Sequence, residues 1–206
     1  MNIKIEYEGF PAEAREIREK ASEVNDKICG IYKMFEEMNR SWRGKRYNDL
    51  AKQCNGVIGY FDKLLQLVVT QLPFELETVA NNYSLADSGS KIVGMPEQRA
   101  VKKITQVPTP DPIDVYISIK DVEDYRTNIG MAFDNVNAMI NQIDTRVKHL
   151  KWEGQAAGNY KAEINNLKDQ IQKSVTEIRK AFSTKMNEAM EDMKLAETSS
   201  DKGPQV

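Results

Sequence analysis

The residue types that most often perform catalysis or bind metals are sparse in this chain. Among its 206 residues only His149 is a histidine, and only Cys29 and Cys54 are cysteines. One histidine is too few for a histidine-based catalytic dyad or metal cluster. No glycine-rich phosphate loop follows a strand pattern either. The many carboxylates are spread along the polar faces of helical segments. The composition predicts a protein that is not an enzyme and that holds no metal or cofactor.

The two cysteines are too few for a disulfide framework. Cys54 falls on an apolar stripe at helical spacing, and Cys29 lies beside another such stripe. We therefore expect both to be buried, reduced thiols.

Charge and hydropathy restrict the partners. The 29 basic and 31 acidic residues give a net charge of -2, so no basic field attracts nucleic acid. The most apolar segment, residues 57–74, contains Asp62 and Lys63, and it falls short of the roughly 20 apolar residues that span a bilayer. Residues 1–8 interleave charged and apolar residues and lack the apolar core of a signal peptide. We expect a soluble protein without a membrane span or a cleavable signal.

Four long apolar stripes recur at helical spacing, starting with an unbroken 3,4 alternation from Ala14 to Trp42. Pro11 suits a first helical turn, whereas Pro73 interrupts the second stripe and predicts a kink. Each helix has one apolar face that must be buried. The pattern therefore predicts an all-α protein, a four-helix bundle built from two antiparallel hairpins.

Proline and glycine mark the boundaries between the units. Residues 88–112 contain four prolines and two glycines and are interpreted as a linker. They separate a first hairpin, 1–87, from a second, 113–198, and residues 199–206 form a polar tail. Segments 3–7 and 115–119 alternate polar and apolar residues, and each is either a short strand or irregular. Ser118 and Asp121 match a capping box before the third helix.

Each of the two tryptophans is followed two residues later by glycine, as Trp42-Arg43-Gly44 and Trp152-Glu153-Gly154. Both motifs stand where a helical hairpin needs its turn. We expect the glycine to end the first helix with a positive φ and the indole to cover the end of the apolar seam. The tryptophans are 110 residues apart, and this shift maps the second stripe onto the fourth. The chain therefore contains an internal repeat of pattern.

A Trp-x-Gly turn between two amphipathic helices resembles the WXG family, the early-secreted-antigen-like proteins exported by type VII secretion systems. The resemblance covers roughly residues 1–90 and 112–198. Family members pair into four-helix dimers, so a tandem of two hairpins resembles such a dimer made covalent. The resemblance implies a secreted, leaderless type VII substrate that acts by protein binding. It implies the secretion ATPase as a partner, and another helical substrate or a host protein as further partners. The alternative is a cytoplasmic adaptor or chaperone for a larger type VII toxin.

Family members commonly have Tyr-x-x-x-Asp/Glu just past the second helix, which is read together with the Trp-x-Gly turn of the partner hairpin as an export signal. Tyr83 and Asp87 match this pattern, whereas the 110-residue shift puts Met193 and Glu197 in the second half. The resemblance thus implies one complete signal per chain.

The packing direction of the two hairpins decides where the other part of this signal lies. If they pack antiparallel, as the resemblance implies, Tyr83 and Asp87 lie beside Trp152 and Gly154, and the linker must run the length of the bundle. A helix of 29 residues spans roughly 44 Å, and the 24 linker residues 88–111 reach about 79 Å when extended. The linker is therefore long enough, and we expect the signal to be assembled from Tyr83 and Asp87 together with Trp152 and Gly154.

Overall fold

Helical rods make up most of the computed structural model, which describes residues 6–111 and 114–200, with side chains as far as residue 198. A 3-10 turn, Tyr7–Gly9, precedes helix α1, Phe10–Met38. The second rod comprises α2 (Lys45–Asn55), α3 (Ile58–Leu65), a π-helical turn (Gln66–Gln71) and α4 (Leu72–Ser88), and is called the α2–α4 rod. The second hairpin consists of α5 (Ile119–His149) and α6 (Gln155–Ser200). The predicted all-α bundle is confirmed.

One core runs through both hairpins, and it is made of the four apolar stripes. Each long helix packs on two neighbours: α1 lies against α5 and the α2–α4 rod, and α6 lies against the same rod and α5. The largest fully buried side chains come from both hairpins and include Trp42, Tyr47, Phe35, Phe133 and Phe182. Burial of aromatic rings of this size provides much of the apolar stabilisation of such a core.

Ion pairs at the two ends of the bundle fix the direction of the hairpins. Arg146, near the end of α5, pairs with Glu13 at the start of α1 at 2.8 Å. Arg46, at the start of α2, pairs at 2.7 Å with Glu188 near the end of α6. The hairpins therefore pack antiparallel, as expected, and the two Trp-x-Gly turns lie at opposite ends.

At Pro73, where the sequence predicts a kink, the rod contains a π-helical turn that ends at Gln71, just before the proline. Proline has no N–H to donate to the carbonyl of Val69, and its ring crowds that carbonyl. A wider π turn relieves this crowding without ending the rod. Pro73 itself is buried.

Residues Tyr116–Ile117 form a short strand, β2, that pairs antiparallel with β1, Trp42–Arg43. The extended alternative for segment 115–119 is thus confirmed for these two residues, while Ile119 already begins α5. The corresponding segment 3–7 differs, because Tyr7 belongs to the 3-10 turn and residues 3–5 lie outside the described residues.

The expected capping box at Ser118 is wrong. Ser118 is the N-cap of α5, but its side chain makes no cap hydrogen bond. Its main-chain N–H donates to the carbonyl of Ser41 at 2.7 Å, and Asp121 accepts from the Ser41 hydroxyl at 3.4 Å. Contacts with the first hairpin therefore take over the groups that a capping box would use.

The linker is ordered along the first hairpin. Its residues 93–110, here called the strap, run from the end of α4 back towards the Trp42 turn. The Glu97 N–H donates a hydrogen bond to the Glu77 carboxylate at 2.8 Å. The Asn48 side chain, near the start of α2, donates to the Pro110 carbonyl at 2.7 Å. The linker thus spans the length of the bundle, as the antiparallel arrangement requires.

Two further expectations concern the start of the C-terminal tail and the absence of a membrane-spanning helix. Helix α6 continues to Ser200, so the tail does not begin at residue 199 as predicted, and residues 201–206 are not described. Within residues 6–111 and 114–200, no helix combines the length and apolar content that a bilayer crossing needs.

Candidate recognition site at the Trp152 turn

The glycine of each Trp-x-Gly motif has the positive φ expected for it, but its position in the turn differs from the prediction. Gly44 has φ 124° and Gly154 has φ 108°. Each immediately precedes the second helix of its hairpin, whereas the first helices end earlier, at Met38 and His149. The Gly154 carbonyl accepts the Gly158 N–H at 3.0 Å, the first hydrogen bond of α6. The glycine therefore starts the second helix, because an extended tryptophan segment needs a positive φ to turn into it.

Trp152 is buried between the two hairpins. Its ring meets that of Phe10, at the start of α1, edge-on with 6.5 Å between centroids, and that of Tyr160 on α6 at 5.8 Å. The Lys161 ammonium donates to the main-chain oxygens of Leu150 and Trp152, at 3.2 and 3.4 Å. Only 6% of Trp152 is exposed. The indole therefore fixes the second turn against the start of the first hairpin.

Tyr83 and Asp87 lie on the last two turns of α4, and both contact Tyr7. The rings of Tyr7 and Tyr83 stack with centroids 5.8 Å apart and an interplanar angle of 18°. The Tyr7 hydroxyl donates a 2.8 Å hydrogen bond to Oδ2 of Asp87. This bond to a carboxylate raises the pKa of Tyr7, with a smaller contribution from desolvation, so the phenol is held in its protonated form.

The N-terminal turn links these two groups of residues. The Phe10 N–H donates to the carbonyl of Tyr7, so the two rings belong to one turn. Tyr7 contacts Tyr83 and Asp87, and Phe10 contacts Trp152. The structure thus places Tyr83 and Asp87 at the same end of the bundle as the Trp152 turn, with Tyr7 and Phe10 between them.

The role of Tyr7 and Phe10 was missed in the sequence. Their signal was the presence of two aromatic residues three positions apart just before the first stripe. This spacing was overlooked because residues 3–7 were interpreted as a strand candidate. In a strand the two rings would point to different sides, whereas a helical turn brings them to one side.

Part of this cluster is presented to solvent. Tyr83 is 41% exposed, and Asp87 is exposed as well. Asp87 lies in the last turn of α4, where the helix dipole disfavours an acidic group, and no basic residue accompanies it in that turn. Its position is therefore unfavourable for the helix itself, and the Tyr7 hydroxyl is its hydrogen-bond donor.

The opposite end of the bundle has different chemistry. Trp42 is 1% exposed and packs on Phe182 of α6, with 5.9 Å between ring centroids. The main chain of the same turn is paired with β2. At this end α6 presents Met193, partly buried, and Glu197, exposed, in place of an aromatic–acid pair. The two turns share the positive φ of their glycines but not their surface.

The single histidine and the two cysteines, which are the other candidate residues, lie in surroundings typical of a structural role. His149 Nδ1 lies 2.7 Å from the Thr145 carbonyl. Both thiols are free, as predicted, but only Cys54 is buried as expected, whereas Cys29 is half-buried. Burial raises the pKa of each thiol, so neither is an activated nucleophile. Within the described parts of the chain, no three His, Cys, Asp or Glu side chains are grouped to hold a metal ion.

Comparison with known proteins identifies no relative: the chain matches no family model, no curated protein and no solved structure.

Proposed function

We propose that this protein is a secreted substrate of a type VII secretion system that acts by protein binding and not by catalysis. The observation that carries the proposal is the grouping of Tyr83, Asp87 and the Trp152 turn at one end of the bundle. Tyr83 and Asp87 both contact Tyr7, and Trp152 contacts Phe10 of the same N-terminal turn. In this proposal the secretion ATPase recognises that end.

The chemistry of the surface supports recognition by a protein. It combines a half-exposed aromatic ring and a carboxylate at one helix end, which give a receptor contact area and a charge to pair with. The Trp152 indole is buried, so its proposed role is to hold the turn in place and not to touch the receptor.

The experiment is an export assay that uses the internal repeat as its control. The tagged chain is produced in a type VII-competent host with and without its secretion ATPase, and cells and medium are compared. Asp87→Asn keeps an acceptor for the Tyr7 hydroxyl and removes the charge, and its matched control is Glu197→Gln at the other end. Tyr83→Ala is matched in the same way by Met193→Ala.

We expect export to require the ATPase, to fall strongly with Asp87→Asn and Tyr83→Ala, and to be unchanged by the two controls. All four sites are at least partly exposed, so thermal unfolding of each variant can verify that stability is equal. Retention of the unmodified chain in the cells would contradict the proposal and favour a cytoplasmic adaptor. Equal defects at both ends would refute a signal at the Trp152 end.

A further inference from the structure

The strap, residues 93–110, is bound to the first hairpin mainly through its own main chain. Two asparagines each form a pair of hydrogen bonds with one strap residue. Asn25 on α1 accepts from the Lys102 N–H at 2.7 Å and donates to its carbonyl at 3.0 Å. Asn55, the last residue of α2, does the same with Val107, at 2.8 and 2.9 Å. A side-chain amide that satisfies both groups of one residue imitates a neighbouring β-strand.

The same mode of binding continues along the strap. Thr70 donates to the Arg99 carbonyl at 2.6 Å, and Asn81 accepts from the Val93 N–H at 2.9 Å. The main chain of Glu97 is held on both sides, since its N–H meets the Glu77 carboxylate and its carbonyl accepts from Arg18 at 3.1 Å. These partners all belong to α1 or the α2–α4 rod.

Two apolar side chains of the strap are anchored in the core. Ile104 and Val107 are each 3% exposed and join the core. Between them, Thr105 and Gln106 are exposed. Residues 104–107 thus place two apolar anchors, three positions apart, in the hairpin. Elsewhere in the strap the side chains of Glu97 and Lys102 pair with Arg18 and Asp26, beside the main-chain hydrogen bonds.

These contacts are those of a peptide in a binding groove. The walls are α1 and the α2–α4 rod, and the hydrogen bonds described above do not involve the second hairpin. Gly89 precedes the strap, whose first residues include Gly94 and Met95, and Met95 is 88% exposed. At that end the strap is held by the hydrogen bonds of Val93 and Glu97 and not by buried side chains, so little apolar packing opposes its detachment.

We propose that this face of the first hairpin is a binding groove for an extended peptide with two apolar anchors three residues apart. The chain's own strap is its resident ligand, and the strap of a second copy takes its place when the first detaches. A second copy fits because it offers the same main-chain pattern and the same anchors. The resident strap has the advantage of a tethered ligand, whose effective concentration is in the mM range.

The test weakens the binding of the strap so that the groove is empty, and it leaves the residues of α1 and the α2–α4 rod unchanged. The full-length variant Ile104→Asp/Val107→Asp carries a weakened strap, and the probe is a fluorescein-labelled peptide of residues 96–110 with the natural sequence. We expect the peptide to bind this variant one to one and to bind the unmodified protein at least about tenfold more weakly, because the tethered strap competes. Adding Asn25→Ala and Asn55→Ala to the variant, or both anchor substitutions to the peptide, should abolish binding.

A folded variant that does not bind the natural peptide would overturn the proposal, as would equal binding to the variant and the unmodified protein. Hydrogen exchange of the unmodified protein provides a test that does not depend on the variant folding. The Lys102 and Val107 amides should exchange through an opening of lower free energy than the amides of Ile28 and Leu64, so that the strap leaves a folded bundle. Exchange of all four only through global unfolding would show that the strap is an integral part of the fold.

Discussion

Tyr7 donates a hydrogen bond to Asp87 across 80 positions of sequence, and its ring stacks on Tyr83. The N-terminal turn thereby holds the last turns of α4, which end at Gly89 in the left-handed conformation. Two different contacts from one side chain can be separated by substitution, since phenylalanine keeps the ring and loses the hydroxyl.

Tyr7→Phe should therefore loosen the end of α4 less than Tyr7→Ala. Both should speed hydrogen exchange of the amides near Asp87 several-fold, because the end of a helix opens locally without global unfolding. The melting temperature should change little in Tyr7→Phe, since the lost bond is exposed. Tyr125→Phe on α5 is the control. Unchanged exchange near Asp87 in Tyr7→Ala would show that the turn does not hold this helix end.

A second prediction concerns the buried ion pair in the first hairpin. Arg18 donates to both carboxylate oxygens of Glu77, at 3.1 and 3.0 Å, and the side chains are 2% and 7% exposed. Arg18→Met should lower the free energy of unfolding by about 3 kcal/mol or more, because it leaves a buried carboxylate without its cation. Urea unfolding measures this change.

The double variant Arg18→Met/Glu77→Gln provides the control for this pair. Glutamine keeps an acceptor for the Glu97 N–H, which Glu77 serves at 2.8 Å, and it carries no charge. The double variant should therefore be more stable than Arg18→Met alone. If the two substitutions add their separate costs, the charge of Glu77 is not what destabilises the single variant.

A third prediction is that the first hairpin requires the second. The rings of Phe35 and Trp42 both rest on Phe182 of α6, with centroids 6.1 and 5.9 Å apart. Residues 1–90 expressed alone would expose this seam, so we expect them to self-associate or to lose cooperative unfolding. Light scattering and calorimetry measure these properties. A monomer that melts cooperatively near the temperature of the full chain would contradict the prediction.

The features that could be predicted from sequence are those set by local periodicity. The stripe from Ala14 to Trp42 predicted a buried face, and its members are buried. The glycines of the two Trp-x-Gly motifs were expected to have positive φ, and they do. Such features depend on neighbours within one or two turns, which the sequence displays directly.

Features set by distant contacts were missed. Asn25 and Asn55 looked like ordinary polar residues, because their partners lie 77 and 52 positions away in an irregular segment. A faint signal existed on α1, where Arg18, Ser22, Asn25 and Cys29 follow one another at helical spacing beside the apolar stripe. This second stripe contacts the strap, but its residue types alone do not identify a main-chain partner.

The last prediction is that the folded state loses stability in alkali because it keeps buried groups protonated. Tyr32 donates to the Cys54 carbonyl at 2.6 Å, and Tyr47 donates to the Phe35 carbonyl at 2.8 Å. Burial is the main cause that raises the pKa of both tyrosines and of the Cys54 thiol, well above their ordinary values of 10.0 and 9.0.

Whether rising pH stabilises or destabilises the fold depends on which state, folded or unfolded, releases protons. In the unfolded chain Cys54 ionises above pH 9.0, whereas in the folded chain it stays neutral, so rising pH favours unfolding. Stability from these groups is complete below pH 9.0 and declines above it, with a contribution from the thiol of about 1.4 kcal/mol per pH unit. Urea unfolding between pH 7 and about pH 10.5 measures this decline.

Cys54→Ala separates this effect from the general influence of alkali. The substitution should lower stability at pH 7, because it leaves a small cavity at a position that is 1% exposed. It should also make the decline above pH 9.0 shallower, since one of the buried groups is gone. Cys29→Ala, at a half-buried site, should change the slope less. Parallel pH profiles for all three proteins would show that the thiol at Cys54 ionises in the folded state as readily as in the unfolded chain.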